Sequence, residues 1–512
     1  MKVKNRTQKF VYNSMSTAIM QIFTMVVGFI IPKVMLNSYG SEINGLVSSI
    51  SQFIAYFNLV EAGLAGAAIY SLYKPLANKD YKAINGVISA AKKFYTQSGY
   101  IFISLTIGLA FIYPFYIKTN ELSNLSVGLL VLILGVNGAL EFFTLSKYRV
   151  LLTADQKTYV ISIASTIQII INTIIIVVLA YYRVSIVILR LVALLSIFLR
   201  SFILMVYCNK NYKYLDYKEQ PNIKALSKRW DALILQVLGA VHTGTPVVLI
   251  TILLKDLKVV SVYTIFNMII GGINGVLSIF ISGLSASFGD IIARNEIKIL
   301  QKAYREFEFA YYSLITVVYS VAFLTIMPFV KIYTRGINDI NYDVPIFGFL
   351  FVLNGLLYNI KTPQGMLVIS AGMYKETKVQ TLIQAMISLI GGIVLTPYMG
   401  ICGILIGSIL SNIYRDIDLT IFIPKNVTKL SAQGSIYRII RIFMNISIIF
   451  TPFMFLNINV NSIVKWIIYA TIITIYSIIV VFITSIIFDN KEIINLFKRL
   501  KLMMRRKYDT TI

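Results

Sequence analysis

The segment LNSYGSEINGLVSSISQFIAYFNLVEAGLAGAAIYSLYKPLANKD, Leu36–Asp80, decides the fold class. It opens on a turn, continues as an apolar helix long enough to cross a bilayer core of ~30 Å, and ends at a basic stop. Glu61 falls near the middle of that crossing, where a lone carboxylate is expensive. A looser copy, LKDLKVVSVYTIFNMIIGGINGVLSIFISGLSASFGDIIARNE, occupies Leu254–Glu296, about 217 residues later. Gly63-Leu64-Ala65-Gly66 in the first matches Gly283-Leu284-Ser285-Ala286 in the second.

Two further matches fall near the same offset: IYPFYIKT (Ile112–Thr119) with IMPFVKIYT (Ile326–Thr334), and RVLLTADQKT (Arg149–Thr158) with MLVISAGMYKET (Met366–Thr377). Three echoes at one spacing describe an internal repeat. An even number of spans separates the copies, so the halves are parallel repeats about an axis along the membrane normal.

The 512 residues are 57% apolar and 13% charged, against about 25% charged in soluble domains. Windows of roughly 20 apolar residues predict about 14 membrane helices. They fall near 11–35, 44–72, 97–117, 123–146, 158–181, 184–207, 231–253, 259–285, 309–332, 345–370, 379–397, 400–423, 437–456 and 464–488. The expected fold is an all-α polytopic membrane protein. Residues 1–208 and 231–425 form two parallel six-helix bundles, joined by the polar linker 209–230. Two additional spans follow (426–488), then a basic amphipathic tail (489–512). Within the tail, Ile493, Phe497, Leu500 and Met504 share a helical face suited to a lipid surface. The stretch Lys79–Tyr95 has helical apolar spacing and is expected to lie on the inner leaflet.

The net charge of +25 is concentrated in Lys2–Lys9, Lys74–Lys93, Lys210–Arg229, Arg294–Arg305 and Lys491–Lys507, which lie on one face in this topology. The positive-inside rule puts that face, with both termini, in the cytoplasm. These bases interrupt membrane spans and form no stripe, which argues against a nucleic-acid surface. Cys208 and Cys402 fall on opposite sides of the membrane and make no ligand or redox pattern. The first apolar segment lacks a small-x-small cleavage site and reads as a span.

No phosphate-binding loop, paired metal-ligand helix or nucleophile elbow is present, and one histidine leaves little room for zinc or acid–base schemes. No metal, cofactor or enzymatic activity is expected. The informative residues are ionisable groups within spans. Glu61, His242 and Lys361 fall near mid-depth, Glu141 in the inner half and Arg190 in the outer half. Lys33, beside Pro32, either snorkels to the outer interface or faces a cavity. Lys147, Arg149 and Arg200 are close enough to the cytoplasmic face to snorkel. His242, flanked by Gly239, Gly244 and Pro246, either couples protons to gating, as does Glu61, or is a neutral hydrogen-bonded histidine. Glu141 and Lys361 carry opposite charge at repeat-related depths, and each is expected to pair within its own bundle. Arg190, in an otherwise apolar run, is the strongest candidate for an anion contact.

The opening KNRTQKFVYNSMSTAIMQIFTMVVGFIIPKVMLNSYGSEINGL, the segment FNLVEAGLAGAAIYSLYKPLA and the junction ALSKRWDALILQVLGAVHTGTPVVLI resemble the multidrug/oligosaccharidyl-lipid/polysaccharide exporter superfamily. Within it the chain resembles polysaccharide repeat-unit flippases of the Wzx type, with Lys33 where related chains often have Arg and Glu61 where many have Asp. The resemblance implies two bundles opening as an inverted V, with alternating access around a central cationic cavity. It implies as substrate an undecaprenyl-pyrophosphate-linked oligosaccharide, with membrane lipids, a polysaccharide polymerase and a chain-length regulator as further partners and no nucleic acid. The implied setting is a bacterial plasma membrane. A cation-coupled drug antiporter of the same superfamily would need a cavity dominated by acids. A lipid II flippase also fits. A membrane glycan polymerase or ligase would need a large outer loop, and no predicted outer loop exceeds roughly a dozen residues.

Overall fold

The structure, a computed structural model, describes residues 6–226, 244–282, 284–456, 460–490 and 492–494. His242 and most of the basic tail lie outside the described residues. All regular structure among the described residues is helical. Ten helices there are long and apolar enough to cross a membrane by length and composition, and the chain is a multi-pass membrane protein.

The expected span 231–253 lies largely outside the described residues, and others of the expected 14 or so merge or break. The segment Val11–Asn78 is one run of 68 residues by these criteria. It comprises α1 (Arg6–Phe57), a 3-10 turn at Asn58–Glu61 and α2 (Leu64–Asn78). At ~1.5 Å per residue it could span a bilayer core more than twice. Gly40 interrupts α1 with φ 76°, a left-handed backbone that glycine adopts without steric cost. The first leg runs alongside α6 (Thr158–Tyr181): Asn13 donates to the Gln156 carbonyl at 3.0 Å, and Tyr39 to the Val184 carbonyl at 2.5 Å. The second leg runs against α3 (Tyr81–Tyr116), with Thr119 donating to Glu42 at 2.5 Å and Phe57 edge-on to Phe102 at 5.9 Å. The chain therefore reverses at Gly40, and two expected spans share one run.

The chain continues through α4 (Asn124–Leu140), a π-helical turn at Glu141–Leu145 and α5 (Ser146–Ala154), then α6, α7 (Ile186–Ala193) and α8 (Leu195–Asn211). After the undescribed residues come α9 (Gly244–Leu254), α10 (Leu257–Ser282), α11 (Leu284–Ala293) and α12 (Ile297–Tyr333). The last six are α13 (Pro345–Ile360), α14 (Thr362–Ser370), α15 (Lys378–Met399), α16 (Ile401–Ile423), α17 (Ala432–Met454) and α18 (Ile463–Phe488). α13 and α14 are each too short to cross alone, because the expected span 345–370 is broken at Lys361. Two compact units result: Met1–Ile265 with Gly336–Ile340, and Phe266–Arg335 with Asn341–Ile512.

Contrary to the sequence expectation, the Lys79–Tyr95 stretch is no separate surface helix. It forms the first turns of α3, started by the Asp80 carboxylate accepting from the Ala83 amide at 3.0 Å. Ile84–Ala91 are all buried. Residues after α8 cover them: Asn85 donates to the Tyr214 carbonyl at 2.9 Å, and the Asn222 amide to the Gly86 carbonyl at 3.0 Å. The apolar face that suggested a lipid contact is satisfied by protein.

In the second unit α15 and α16 approach closely at glycines. A Cβ on Gly407 would lie 2.8 Å from the Gly392 nitrogen, and one on Gly403 2.4 Å from the Leu395 carbonyl carbon. Small residues four apart are what lets helix backbones touch where lipid supplies no hydrophobic drive. Gly407→Leu is expected to destabilise the protein by about 3 kcal/mol, as overpacking does. Thermal unfolding in detergent checks this: an unchanged midpoint would mean that α15 and α16 part without cost.

Candidate functional site

In the first unit, two helix defects carry the two predicted acids. The second leg of α1 unwinds through the 3-10 turn Asn58–Glu61, and Gly63 takes φ 80° before α2 begins. Glu61 sits at that interruption. Glu141 opens the π-helical turn between α4 and α5. Helix interruptions within a span expose backbone polar groups, and they gather at functional positions.

Glu141 is held by two arginines. Arg200 Nη1 lies 3.2 Å from Oε1, and Arg149 Nη1 lies 3.5 Å from Oε2. Arg200 also donates to Gln168 Oε1 at 2.9 Å. Glu61 is within electrostatic reach of Arg149, Glu141 and Tyr95. The expected snorkelling of Arg149 and Arg200 is thus corrected. The Arg200 side chain is only 11% exposed, and both guanidiniums turn towards the acid. Two acids and two arginines leave the cluster balanced in charge.

Arg190 is different. It lies in the last turn of the short helix α7, against Tyr39, whose hydroxyl is already given to the Val184 carbonyl. Its Nε is buried without a hydrogen-bond partner, and among the described residues no carboxylate forms an ion pair with it. Lys33 lies part-buried on the first leg of α1, about two turns before Gly40.

In the second unit, Lys361 occupies the joint between α13 and α14. Pro363 lacks the amide that would bond to the Asn359 carbonyl, so the helix breaks there. Tyr312 caps the break by donating to the Ile360 carbonyl at 2.9 Å. The Lys361 ammonium donates to Asn412 Oδ1, lies 4.8 Å from the Tyr358 ring centroid and faces Asp416. Neither Asp416 carboxylate oxygen has a well-formed hydrogen bond, which leaves Lys361 as the charge opposite it. Beside them Arg415 pairs with Asp418 at 2.5 Å and donates to Thr381 at 3.2 Å. Glu141 therefore pairs within its own unit, whereas Lys361 has Asp416 within electrostatic reach and its ammonium on Asn412. Lys361 and Arg415 line a cavity of about 470 Å³ together with Tyr358, Thr381 and Gln384.

A second charged network was not anticipated from the sequence. Arg438 on α17 bonds to Glu308 on α12 at 2.8 Å, to Glu492 at 3.1 Å and to Asp489 at 3.5 Å. Arg441, one turn on, pairs with Asp489 and lies over the Phe309 ring. Glu308 is also met by Ser435 at 2.7 Å, Tyr304 at 2.9 Å and Gln364 at 3.3 Å. Gln364 in turn reaches Tyr312 at 2.8 Å, which links this network to the break at Lys361. Arg438, Arg441, Glu308, Ser435, Asp489 and Glu492 line a cavity of about 590 Å³. Arg438 and Arg441, spaced i,i+3 at the start of a span, were the available signal. Their partners lie too far along the chain for spacing to reveal.

No family model and no curated protein matches the sequence. Solved structures do match. The lipid II flippase MurJ in an inward closed conformation is 13% identical, with a TM-score of 0.69, over 93% of this chain and 99% of that one. An inward-facing multidrug resistance MATE family transporter of the MOP superfamily is 12% identical, with a TM-score of 0.62, over 84% and 98%. A MOP superfamily transporter from Pyrococcus furiosus is 13% identical, with a TM-score of 0.56, over 83% and 96%. The chain has the fold of the MOP superfamily transporters.

Proposed function

We propose that the protein is a flippase that carries an undecaprenyl-pyrophosphate-linked oligosaccharide from the inner to the outer leaflet of a bacterial plasma membrane. Two repeat-related six-helix halves would alternate access to a cationic cavity, with no catalysis, metal or cofactor involved. Arg190 carries this reading. A guanidinium inside an apolar span without a carboxylate is costly unless an anion meets it during the working cycle. Pyrophosphate suits it, because a guanidinium fork can give two parallel charge-assisted hydrogen bonds.

The other mid-span charges support the same choice. Glu61 and Glu141 are balanced by Arg149 and Arg200, and Asp416 and Asp418 by Lys361 and Arg415. A cation antiporter would be left with no acid in excess at these clusters. With the basic loops and both termini in the cytoplasm, an inside-negative potential favours outward movement of the anion by ~2.3 kcal/mol per charge per 100 mV. A polysaccharide polymerase and a chain-length regulator are the proposed consumers of the product. The fold likeness to a protein named as a lipid II flippase keeps a lipid-linked muropeptide as the second candidate cargo of the same chemistry.

Purified protein in liposomes tests the reading. Fluorescent undecaprenyl-pyrophosphate oligosaccharide loaded into one leaflet should reach the other within minutes, and a cationic dye should not be exported. Dye export without lipid movement, in a preparation shown to be folded, would replace the flippase with a drug antiporter.

A further inference from the structure

We propose that the 470 Å³ cavity of the second unit is a saccharide site, built for the neutral, polyhydroxylated part of the cargo and separate from the pyrophosphate contact. The proposal rests on the flippase reading for the identity of that cargo. Its own support is the chemistry of the lining.

Two bases line the cavity, and each has an acid nearby: Arg415 holds Asp418 at 2.5 Å, while Lys361 donates to Asn412 with Asp416 within electrostatic reach. A dianion would have to displace those carboxylates, and an organic cation would have to displace those bases. The net charge offered to a guest is close to zero. Hydrogen-bonding capacity is nevertheless abundant. Lys361 gives one of its three donors to Asn412, and Arg415 gives two of its five, to Asp418 and Thr381. The side-chain amide of Gln384 makes no hydrogen bond among the described residues, and it lines the cavity. An amide presents donor and acceptor side by side, which matches vicinal hydroxyls.

The remaining lining is apolar. Tyr358, 39% exposed, and the neighbouring Met366 and Ile369 supply flat and aliphatic surface. A pyranose ring has that same division, with hydroxyls around its rim and C–H bonds on its faces. The volume falls within the ~300–1,000 Å³ range of small-molecule sites. Lys361 stands at the helix break, so a ligand there touches a joint that could bend without losing regular helix.

The test compares two cargoes in liposomes: undecaprenyl pyrophosphate bearing a neutral trisaccharide, and the same lipid with no sugar. Wild type, Gln384→Leu, Gln384→Ala and Arg190→Ala are each checked for cooperative thermal unfolding, with the Gln384 variants keeping the wild-type melting temperature. Loss of two hydrogen bonds predicts that Gln384→Leu slows the glycosylated cargo about tenfold relative to the bare lipid. Gln384→Ala, which cannot clash, should do the same, whereas Arg190→Ala should slow both cargoes alike. Equal slowing of both cargoes by the Gln384 variants, or no slowing of either, overturns the saccharide site and leaves the flippase intact. If wild type moves neither lipid, the flippase reading fails. Binding of lipid-free neutral oligosaccharides on a glycan array then decides the site by itself. Binding lost in both Gln384 variants sustains it, and absence of such binding removes it.

Discussion

Arg190→Ala is expected to cut flipping of the pyrophosphate-linked cargo by about a hundredfold or more. Loss of a charge-assisted contact made in a dehydrated site costs about 3 kcal/mol, and every 1.4 kcal/mol is a factor of ten. Arg190→Lys should recover part of that loss, since an ammonium keeps the charge without the two-pronged geometry. Stability should move the other way. The guanidinium has no carboxylate partner among the described residues, so Arg190→Met removes an uncompensated charge and should raise the melting temperature while transport falls. This opposition separates a ligand contact from a structural role: a structural arginine would lose stability and transport together. Flipping rates and thermal unfolding on the same preparations provide both readings. Transport retained in Arg190→Ala would remove the residue from the mechanism.

Arg438→Ala should produce the largest loss of stability, about 3–5 kcal/mol, because it strands Glu308 and Glu492 around one vacated position and leaves Asp489 to Arg441 alone. Glu308 is the most affected, being 2% exposed and reached from four directions by Arg438, Ser435, Tyr304 and Gln364. Replacing both partners, Arg438→Met with Glu308→Met, should recover much of the loss, since an apolar pair of similar volume needs no counter-charge. Unfolding midpoints of the two single variants and the double variant form a cycle that measures the coupling. Additive effects would mean that α12 and α17 are held together by packing alone. Transport by the double variant has its own interest, because the Glu308–Gln364–Tyr312 chain ends at the carbonyl beside Lys361.

Much of the architecture was legible in the sequence, and particular residues explain where legibility stopped. Long apolar runs announce membrane helices because the bilayer leaves the backbone no other way to satisfy itself. Pro363 beside Lys361 marks one break in the sequence itself, whereas the interruption at Glu61 and Gly63 falls inside an expected continuous span, 44–72. The expected local pairing is seen for Glu141, which meets Arg149 and Arg200. The failures share a cause. Ile84–Ala91 carry an apolar face that lipid or protein could equally cover, and only the folded chain shows residues 212–222 lying on it. Arg149 and Arg200 looked able to reach water, but Glu141 was nearer.

Taken alone, the sequence determined the class of the protein, its membrane setting and its helical content, because each depends on local composition and chain geometry. The tertiary structure alone decided which charges are spent and which remain. Arg438 meets partners on both sides of it in sequence, at positions 308, 489 and 492, while Arg190 meets no carboxylate among the described residues. Ion pairing acts over a few ångströms of space and is blind to separation along the chain, so which bases meet a carboxylate shows only once the helices are packed.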